Sequence, residues 1–177
     1  MTSFLQPCPE FSSTRKAVDW IRKTNPNVLA VISRCKNRNL VVYEMLRDPE
    51  GHMQSIDTYW LLLDENFRRR NRQRRVAHDR EGLLALEKPY YELEVVQRES
   101  ARRWAVKFPQ FPDVMVIDDH KTRGASLLRE MSNGQTQTVT HIALDDREVL
   151  GVPKVDGFRV YGRCGKKNRK VMDTVRL

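Results

Sequence analysis

The sequence predicts a mostly β domain, with an antiparallel β-sandwich or a partly closed barrel of about eight strands and one or two short helices. Two observations carry this prediction. Short runs rich in β-branched and aromatic residues recur along most of the chain, and turn-forming residues separate them. A length of 177 residues with 40% hydrophobic content suits a single folded domain with a substantial core.

The first 27 residues are predicted to form an extended arm followed by a short helix. Two early prolines favour extended chain over residues 1–12, and Ser13 or Thr14 can cap the helix that follows. Pro26 ends this helix because the residue before a proline is disfavoured in helical conformation. The apolar side of the helix comprises Ala17, Val18 and Ile21.

Three antiparallel strands are expected next. Residues 28–32 are an unbroken apolar run, the turn formers of residues 36–39 follow, and apolar residues alternate over 40–46, which together predict a hairpin. The Asp-Pro-Glu-Gly segment at residues 48–51 supplies the next turn, and a third strand is predicted over 55–63.

The second half of the chain returns to strands after one more predicted helix. Residues 79–88 favour a short helix that Pro89 ends. Its inner side would carry Leu83, Leu84 and Leu86. The Ser-Asn-Gly segment at residues 132–134 predicts the clearest hairpin loop. The later strands are predicted over residues 91–96, 103–108, 114–117, 125–131, 136–144 and 158–162.

Positive charge is concentrated in two segments. The chain carries 32 Lys and Arg against 23 Asp and Glu, a net charge of +9. Residues 66–80 hold seven Arg and one Asp, and residues 163–177 hold six Lys or Arg and one Asp, so these segments carry +6 and +5 and the rest about −2. The predicted organisation is therefore a β-rich domain over 28–162, an Arg-rich insert at 64–80 and a basic C-terminal tail at 163–177.

The basic segments predict a polyanionic partner. Arginine stays charged at physiological pH and presents forked donors that match carboxylates and phosphates. A dense run without acids therefore favours an acidic macromolecule over a small neutral substrate. The predicted partner-binding residues are Arg68, Arg69, Arg70, Arg72, Arg74, Arg75, Lys166, Lys167, Arg169 and Lys170.

Four segments resemble, in order, the markers of domain-of-unknown-function family 4833. They are KNRNLVVYE at residues 36–44, DTYW at 57–60, LEKPYY at 86–91 and GVP at 151–153. The resemblance covers about residues 28–162. The family pattern places a glycine after a single tyrosine in the third segment, where this chain has a second tyrosine and a glutamate. The resemblance implies a small β-rich domain in which the Arg-rich insert is an addition to a loop. It implies no catalytic residues.

Tyr59 and Trp60 are adjacent in a predicted strand. Successive side chains of a strand point to opposite faces of its sheet. One of these aromatic rings is therefore expected in the core and the other at a second contact surface, with structural packing as the favoured role of both.

The sequence offers one candidate for metal or proton chemistry. Asp118, Asp119 and His120 together carry two carboxylates and an imidazole, which can bind a divalent cation. Neighbouring strand residues point to opposite faces, however, and the following residues are turn formers, so a turn at the end of a strand is the favoured interpretation. Residues 145–147 are likewise predicted to form a turn, and no metal site is predicted.

No motif for covalent or nucleotide chemistry is present in the sequence. It contains neither G-x-S-x-G nor a glycine-rich phosphate loop. Cys164 lies in a basic loop that can lower a thiol pKa, yet a hairpin end explains the neighbouring glycines equally well. The chain is therefore predicted not to be an enzyme and to need no cofactor.

Cysteine usage and hydropathy predict a soluble protein of a reducing compartment. The cysteines are odd in number and widely spaced, without a C-x-x-C pair. No apolar run is long enough to cross a bilayer. A cytoplasmic location is favoured, with a mitochondrial one as the alternative because early serines and basic residues resemble a presequence.

The expected function is that of a non-enzymatic structural protein embedded in an acidic assembly. Tubulin in a flagellar or ciliary axoneme is the leading partner, with the domain placed as a microtubule inner protein. The alternative is an RNA-associated protein such as a mitochondrial ribosome component. Few aromatic residues lie near the basic segments, which weakens the RNA alternative. Neither a membrane nor a small-molecule substrate is expected.

Overall fold

The computed structural model describes residues 14–34, 37–62, 80–150 and 152–177. This part of the chain is mostly strand, which confirms the predicted fold class. The two α-helices within it are α1, Thr14–Thr24, and α2, Lys88–Tyr91, and a 3₁₀ turn lies at Lys121–Arg123. The strands are β1 (Val28–Arg34), β2 (Asn37–Arg47), β3 (Met53–Leu61), β4 (Arg80–Gly82), β5 (Glu94–Ser100), β6 (Arg103–Lys107), β7 (Met115–Asp119), β8 (Ala125–Glu130), β9 (Thr136–Val149), β10 (Val152–Cys164) and β11 (Arg169–Arg176).

The strands form one curled, open sheet that resembles half of a barrel. Its main order is β4-β3-β2-β1-β9-β8-β7-β6-β5, with β10 also paired to β9 and β11 paired to β10. Neighbouring strands run antiparallel, as predicted, except that β1 and β9 run parallel, with Val31 opposite His141.

Strand β9 has three partners. Its first residues pair with β8, residues 141–144 pair with β1, and almost its whole length pairs with β10. Because a strand has only two hydrogen-bonding edges, β8 and β1 share one of them. The sheet therefore branches at β9, and all three branches are anchored on a single strand.

The main hydrophobic core fills the inner side of the curled sheet, and aromatic rings meet at its centre. Tyr43 and Phe108 pack edge to face with ring centroids 5.0 Å apart, and Phe111 lies 4.8 Å from Phe158. The Tyr43 hydroxyl donates a buried 2.6 Å hydrogen bond to the carbonyl oxygen of Tyr91 at the end of α2. A tyrosine can be buried in this way because its hydroxyl has an acceptor.

Helix α1 covers part of the outer face of the sheet. Its predicted apolar side, Ala17, Val18 and Ile21, is buried against β1, β2 and β3. Tyr59 belongs to this second cluster, whereas Trp60 belongs to the main core. The prediction that the two rings lie on opposite faces is therefore confirmed.

The predicted helix over residues 79–88 is wrong. Residues 80–82 form β4 beside β3, and α2 starts at Lys88 with Pro89 in its first turn. Proline suits that position because its missing N–H would have no partner there. Leu84 and Leu86 are 61% and 85% exposed. The strand is favoured because the Arg80 guanidinium stacks 4.3 Å above the Tyr59 ring and pairs with Glu44 at 3.3 Å.

The segment predicted as a basic tail is the last strand of the sheet. Strand β11 pairs with β10 from Gly157 opposite Arg176 to Cys164 opposite Arg169. Its half-buried residues alternate with exposed ones, which is the signature of a strand with one covered face. The many charged residues of this segment obscured the two-residue alternation in the sequence.

Two predicted turns also lie elsewhere. Residues 145–147 continue β9, which stays paired with β10 up to residue 149. Leu150, with a positive φ of 52°, then starts the turn. At the β1–β2 hairpin, residues 37–39 already belong to β2, and residues 35–36 lie outside the described ranges. The loop at residues 132–134 does join β8 to β9, as predicted, with Gly134 at a φ of 80°.

Arg129 joins β11 to the β8–β9 hairpin from inside the fold. The residue is 4% exposed, and one guanidinium nitrogen donates to Asp173 at 2.7 Å and to Gln137 at 3.1 Å. Another nitrogen reaches Asp113 at 3.3 Å, and the guanidinium lies 5.3 Å from the Phe111 ring centroid. Asp173 also accepts a 2.6 Å bond from the Ser132 hydroxyl.

Candidate anion-binding cleft

A cleft of about 910 Å³ lies on the outer face of the sheet, next to the area that α1 covers. One wall is the polar side of α1, and the rest is built from β1, β9, β10 and β11. Its charged and polar lining comprises Arg15, Asp19, Arg22, Lys23, Ser33, Thr140, His141, Arg159, Tyr161, Arg163 and Lys170. Six of these side chains are cationic and one is acidic, so the cleft favours an anion.

Local structure explains why the cations converge. Helix α1 buries its apolar side against the sheet, and Arg15 and Arg22, seven positions apart and so on the same flank of the helix, line the cleft. Strand β10 contributes Arg159, Tyr161 and Arg163, which are spaced by two and share one face.

Arg163 lies close to two other cations of the lining, and we call Arg22, Arg163 and Lys170 the cation cluster. Arg163 and Lys170 are directly opposite each other in the β10–β11 pairing, where like charges are unfavourable. Burial lowers the pKa of the Arg22 guanidinium, and the positive charge of Arg163 lowers it further. Electrostatic repulsion among these three cations therefore destabilises the cluster.

Backbone carbonyls position the two arginines of the cluster. Arg22 donates to the carbonyl oxygen of Leu29 at 3.3 Å, and Arg163 donates to that of Asn168, also at 3.3 Å. Among the described residues, no carboxylate forms an ion pair with Arg22, Arg163 or Lys170. Each guanidinium has five N–H donors, so most remain available to a ligand.

Ser33, His141 and Tyr161 form a neutral polar part of the cleft lining. His141 and Ser33 share a 2.7 Å hydrogen bond between Nε2 and Oγ, and the imidazole stacks on Tyr161 with centroids 5.4 Å apart. Burial, with a smaller contribution from the positive charge of Arg159, lowers the pKa of His141 to about 4. The ring is therefore neutral at physiological pH, and the positive charge of the cleft comes from Arg and Lys.

Arg159 is compensated within the fold. It forms a 3.0 Å ion pair with Asp145 and also donates to the Tyr161 hydroxyl at 3.4 Å. Thr140 donates to the carbonyl oxygen of Tyr161 at 3.1 Å. These bonds fix the stacked pair in place, and the ion pair with Asp145 offsets the charge of Arg159.

The Ser33–His141 bond has the geometry of a nucleophile with its base. Ser33, however, is the penultimate residue of β1 and is paired on both sides, with Leu40 of β2 and Ala143 of β9. Backbone N–H groups in such a ladder already have partners and cannot stabilise an oxyanion. The serine is better explained as the group that orients the imidazole.

The structure brings one of the predicted binding residues into the cleft. Lys170 lines it, whereas Lys166 and Lys167 lie exposed in the turn between β10 and β11. Arg169 starts β11 opposite Cys164. The six arginines between residues 68 and 75 lie outside the described residues, as do the N-terminal arm and the other two cysteines.

Sequence reasoning missed Arg22, Arg159 and Arg163 as site residues. A detectable signal was present for the two on β10, because Arg159, Tyr161 and Arg163 alternate with apolar or small residues. Such spacing predicts a basic, aromatic strip on one face of a strand. Nothing local in the sequence connects that strip with α1.

Asp119 and His120, two of the three residues considered for a cation site, contact other protein side chains. Asp119 accepts bonds of 2.7 and 3.1 Å from the Arg47 guanidinium, and His120 contacts the Ser126 hydroxyl at 2.9 Å. These side chains therefore have protein partners. A different group, Asp48, Glu50 and His52, has ligand atoms within 4.8 Å of one another in the exposed β2–β3 turn, where the His52 imidazole lies 3.3 Å from Asp48.

Comparison with protein-family models, curated proteins and solved structures gives no match to this chain. The resemblance to family 4833 therefore stays a prediction. Neither α-helix within the described ranges is long and apolar enough to cross a membrane.

Proposed function

We propose that this chain is a non-enzymatic binding protein that docks on an acidic macromolecule through the basic cleft. The cation cluster is the observation that carries the proposal. Three cations held together without a carboxylate partner among the described residues are unfavourable in the unbound protein. An acidic partner relieves this repulsion, so binding is favoured.

Docking accounts for the site better than catalysis does. The neutral Ser33–His141 pair is stacked and hydrogen-bonded into the wall, and the backbone around Ser33 belongs to a paired strand. A rigid, preorganised wall supports recognition because little conformational entropy is lost on binding.

The leading partner is an acidic protein surface, with tubulin in a flagellar or ciliary axoneme as the candidate. Forked guanidinium donors match carboxylates, and electrostatic complementarity guides association. In this proposal the cytoplasmic protein acts as a microtubule inner protein, and the Arg-rich insert supplies further contacts.

RNA is the second candidate, and the structure adds one observation in its favour. The stacked His141 and Tyr161 rings lie within the cleft, so an aromatic surface adjoins the basic residues. Binding of single strands combines these two features. A mitochondrial ribosome component would use the site in this way.

The test compares binding to stabilised microtubules and to total RNA over a salt series. The variant Arg22→Gln/Arg163→Gln removes two charges of the cluster, and Arg102→Gln/Arg123→Gln removes two exposed charges outside the cleft as a matched control. Loss of two charge-assisted hydrogen bonds weakens binding by at least about tenfold for the cleft variant. The control should retain affinity within about twofold.

Two outcomes would change the conclusion. Equal losses in the cleft variant and the control would refute a specific cleft, because the net charge alone would then explain binding. Binding to RNA but not to microtubules would select the second candidate. A third variant, with the six arginines of residues 68–75 replaced by Gln, measures the separate contribution of the insert.

A further inference from the structure

The cation cluster has more charge than a single carboxylate can balance. Its members come from three elements, with Arg22 on α1, Arg163 on β10 and Lys170 on β11. A glutamate or an RNA phosphodiester supplies one negative charge, and its oxygens can satisfy one forked guanidinium. The remaining cations would still repel each other.

The ligand that fits best carries two negative charges at one point. A phosphate monoester has a charge of about −1.5 to −2 at pH 7 and three strong acceptor oxygens. Two guanidiniums and one ammonium can each donate to a different oxygen. The match in charge and in number of donors is closer than for a carboxylate.

We propose that the cation cluster is a binding site for a phosphoserine or phosphothreonine within an acidic segment of the protein partner. This inference rests on the proposed docking function and specifies its chemistry. Arg15 and Lys23 also line the cleft. The flanking acidic residues of an extended segment would contact these two cations.

The concave shape of the cleft favours an extended chain segment as its ligand. Helix α1 forms a wall beside the β9–β11 face and the Arg22 side chain is half-buried, so an extended segment can surround its guanidinium more fully than a flat surface can. An extended segment with an exposed phosphate can enter. Recognition of phosphorylated segments by arginine clusters is a recurrent mode of peptide binding.

The experiment measures fluorescence anisotropy with three labelled peptides. They share glutamate flanks and differ only in a central residue, which is phosphoserine, serine or glutamate. The phosphoserine peptide should bind at least about tenfold more tightly than the serine peptide, because two or more charge-assisted bonds are added. The glutamate peptide should bind more tightly than the serine peptide, but with less than half of the gain in binding free energy that phosphoserine gives.

Matched variants locate the site. Lys170→Gln removes a cluster cation, and Lys166→Gln removes the same charge from the exposed turn of the same hairpin. The first should weaken phosphopeptide binding by about threefold or more, and the second by less than about twofold. Arg163→Gln should reduce the preference for the phosphorylated peptide, with an unchanged melting temperature as the check on folding.

Equal affinities for the phosphorylated and unphosphorylated peptides would overturn the inference. So would equal effects of Lys166→Gln and Lys170→Gln, or RNA displacing the phosphopeptide while binding more tightly. The proposed docking function would survive the first result if microtubule binding still depended on Arg22 and Arg163. The two failures are therefore distinguishable.

Discussion

Replacing Asp173 tests how the last strand is held in the fold. Asp173→Ala removes the 2.7 Å bond from Arg129 and the 2.6 Å bond from Ser132. The Arg129 side chain is only 3% exposed, and its Nε has no hydrogen-bond partner among the described residues. The substitution therefore leaves a buried guanidinium with Asp113 as its remaining carboxylate at 3.3 Å.

The expected loss is about 3 kcal/mol of unfolding free energy. Removing one partner of a buried ion pair costs about 3–5 kcal/mol, and the lower end applies because Asp113 still compensates part of the charge. For a chain of this size the loss lowers Tm by about 6–12 °C. Urea titration followed by tryptophan fluorescence at pH 7 and a thermal melt followed by circular dichroism measure both quantities.

Asp113→Ala is the matched control because the Asp113 side chain is 47% exposed. Its ion pair is largely solvated and should contribute less than about 1 kcal/mol. If Asp173→Ala destabilises the protein no more than this control, the buried network does not secure β11 and the reasoning is refuted.

The same network predicts a dependence on pH. Burial raises the pKa of Asp173, but hydrogen bonds from Ser132 and Arg129 outweigh it and leave the pKa below its usual value. A lowered folded-state pKa contributes stability that is present above the unfolded value, about 3.9, and is lost as pH falls through the folded value. The difference in stability between wild type and Asp173→Ala should therefore shrink below about pH 4.

The remaining predictions concern three other sites. Gly124→Ala should destabilise the protein by more than about 2 kcal/mol, measured by urea titration, because φ is 86° and a Cβ would overlap the Pro26 carbonyl; an unchanged midpoint would contradict this. Tyr43→Phe should cost about 1–3 kcal/mol in the same assay, because the Tyr91 carbonyl loses its buried donor. Because folding lowers the pKa of His141 from 6.5 to about 4, wild-type stability should fall by at most about 3 kcal/mol between pH 7.5 and 4, and His141→Gln should flatten that slope.

Local patterns in the sequence predicted most individual elements of the fold. The apolar side of α1 and the opposite faces of Tyr59 and Trp60 follow from helix and strand periodicity, and the loop at residues 132–134 follows from its turn-forming residues. The prediction failed where charge obscured periodicity, as in β11, and where leucine spacing favoured a helix over β4.

The site could be predicted only in part, because long-range pairing creates it. Alternation in β10 indicates a basic strip, yet its position beside α1 depends on β1 pairing with β9. Parallel pairing between segments this distant leaves no local signature in either strand. The cation cluster is accordingly a tertiary property, and Lys170 is the member that the search for basic segments identified.

The parallel contact between Val31 and His141 also determines when the protein can complete its fold during synthesis. The two residues are about 110 positions apart, so at about 5–20 residues per second the ribosome needs about 5 to 20 seconds to deliver the partner of β1. Until then one edge of an apolar strand lacks its neighbour and is available to chaperones or to other nascent chains. The ligand-binding surface also requires β10 and β11, so a partner can select only molecules in which residues 152–176 have been synthesised and paired.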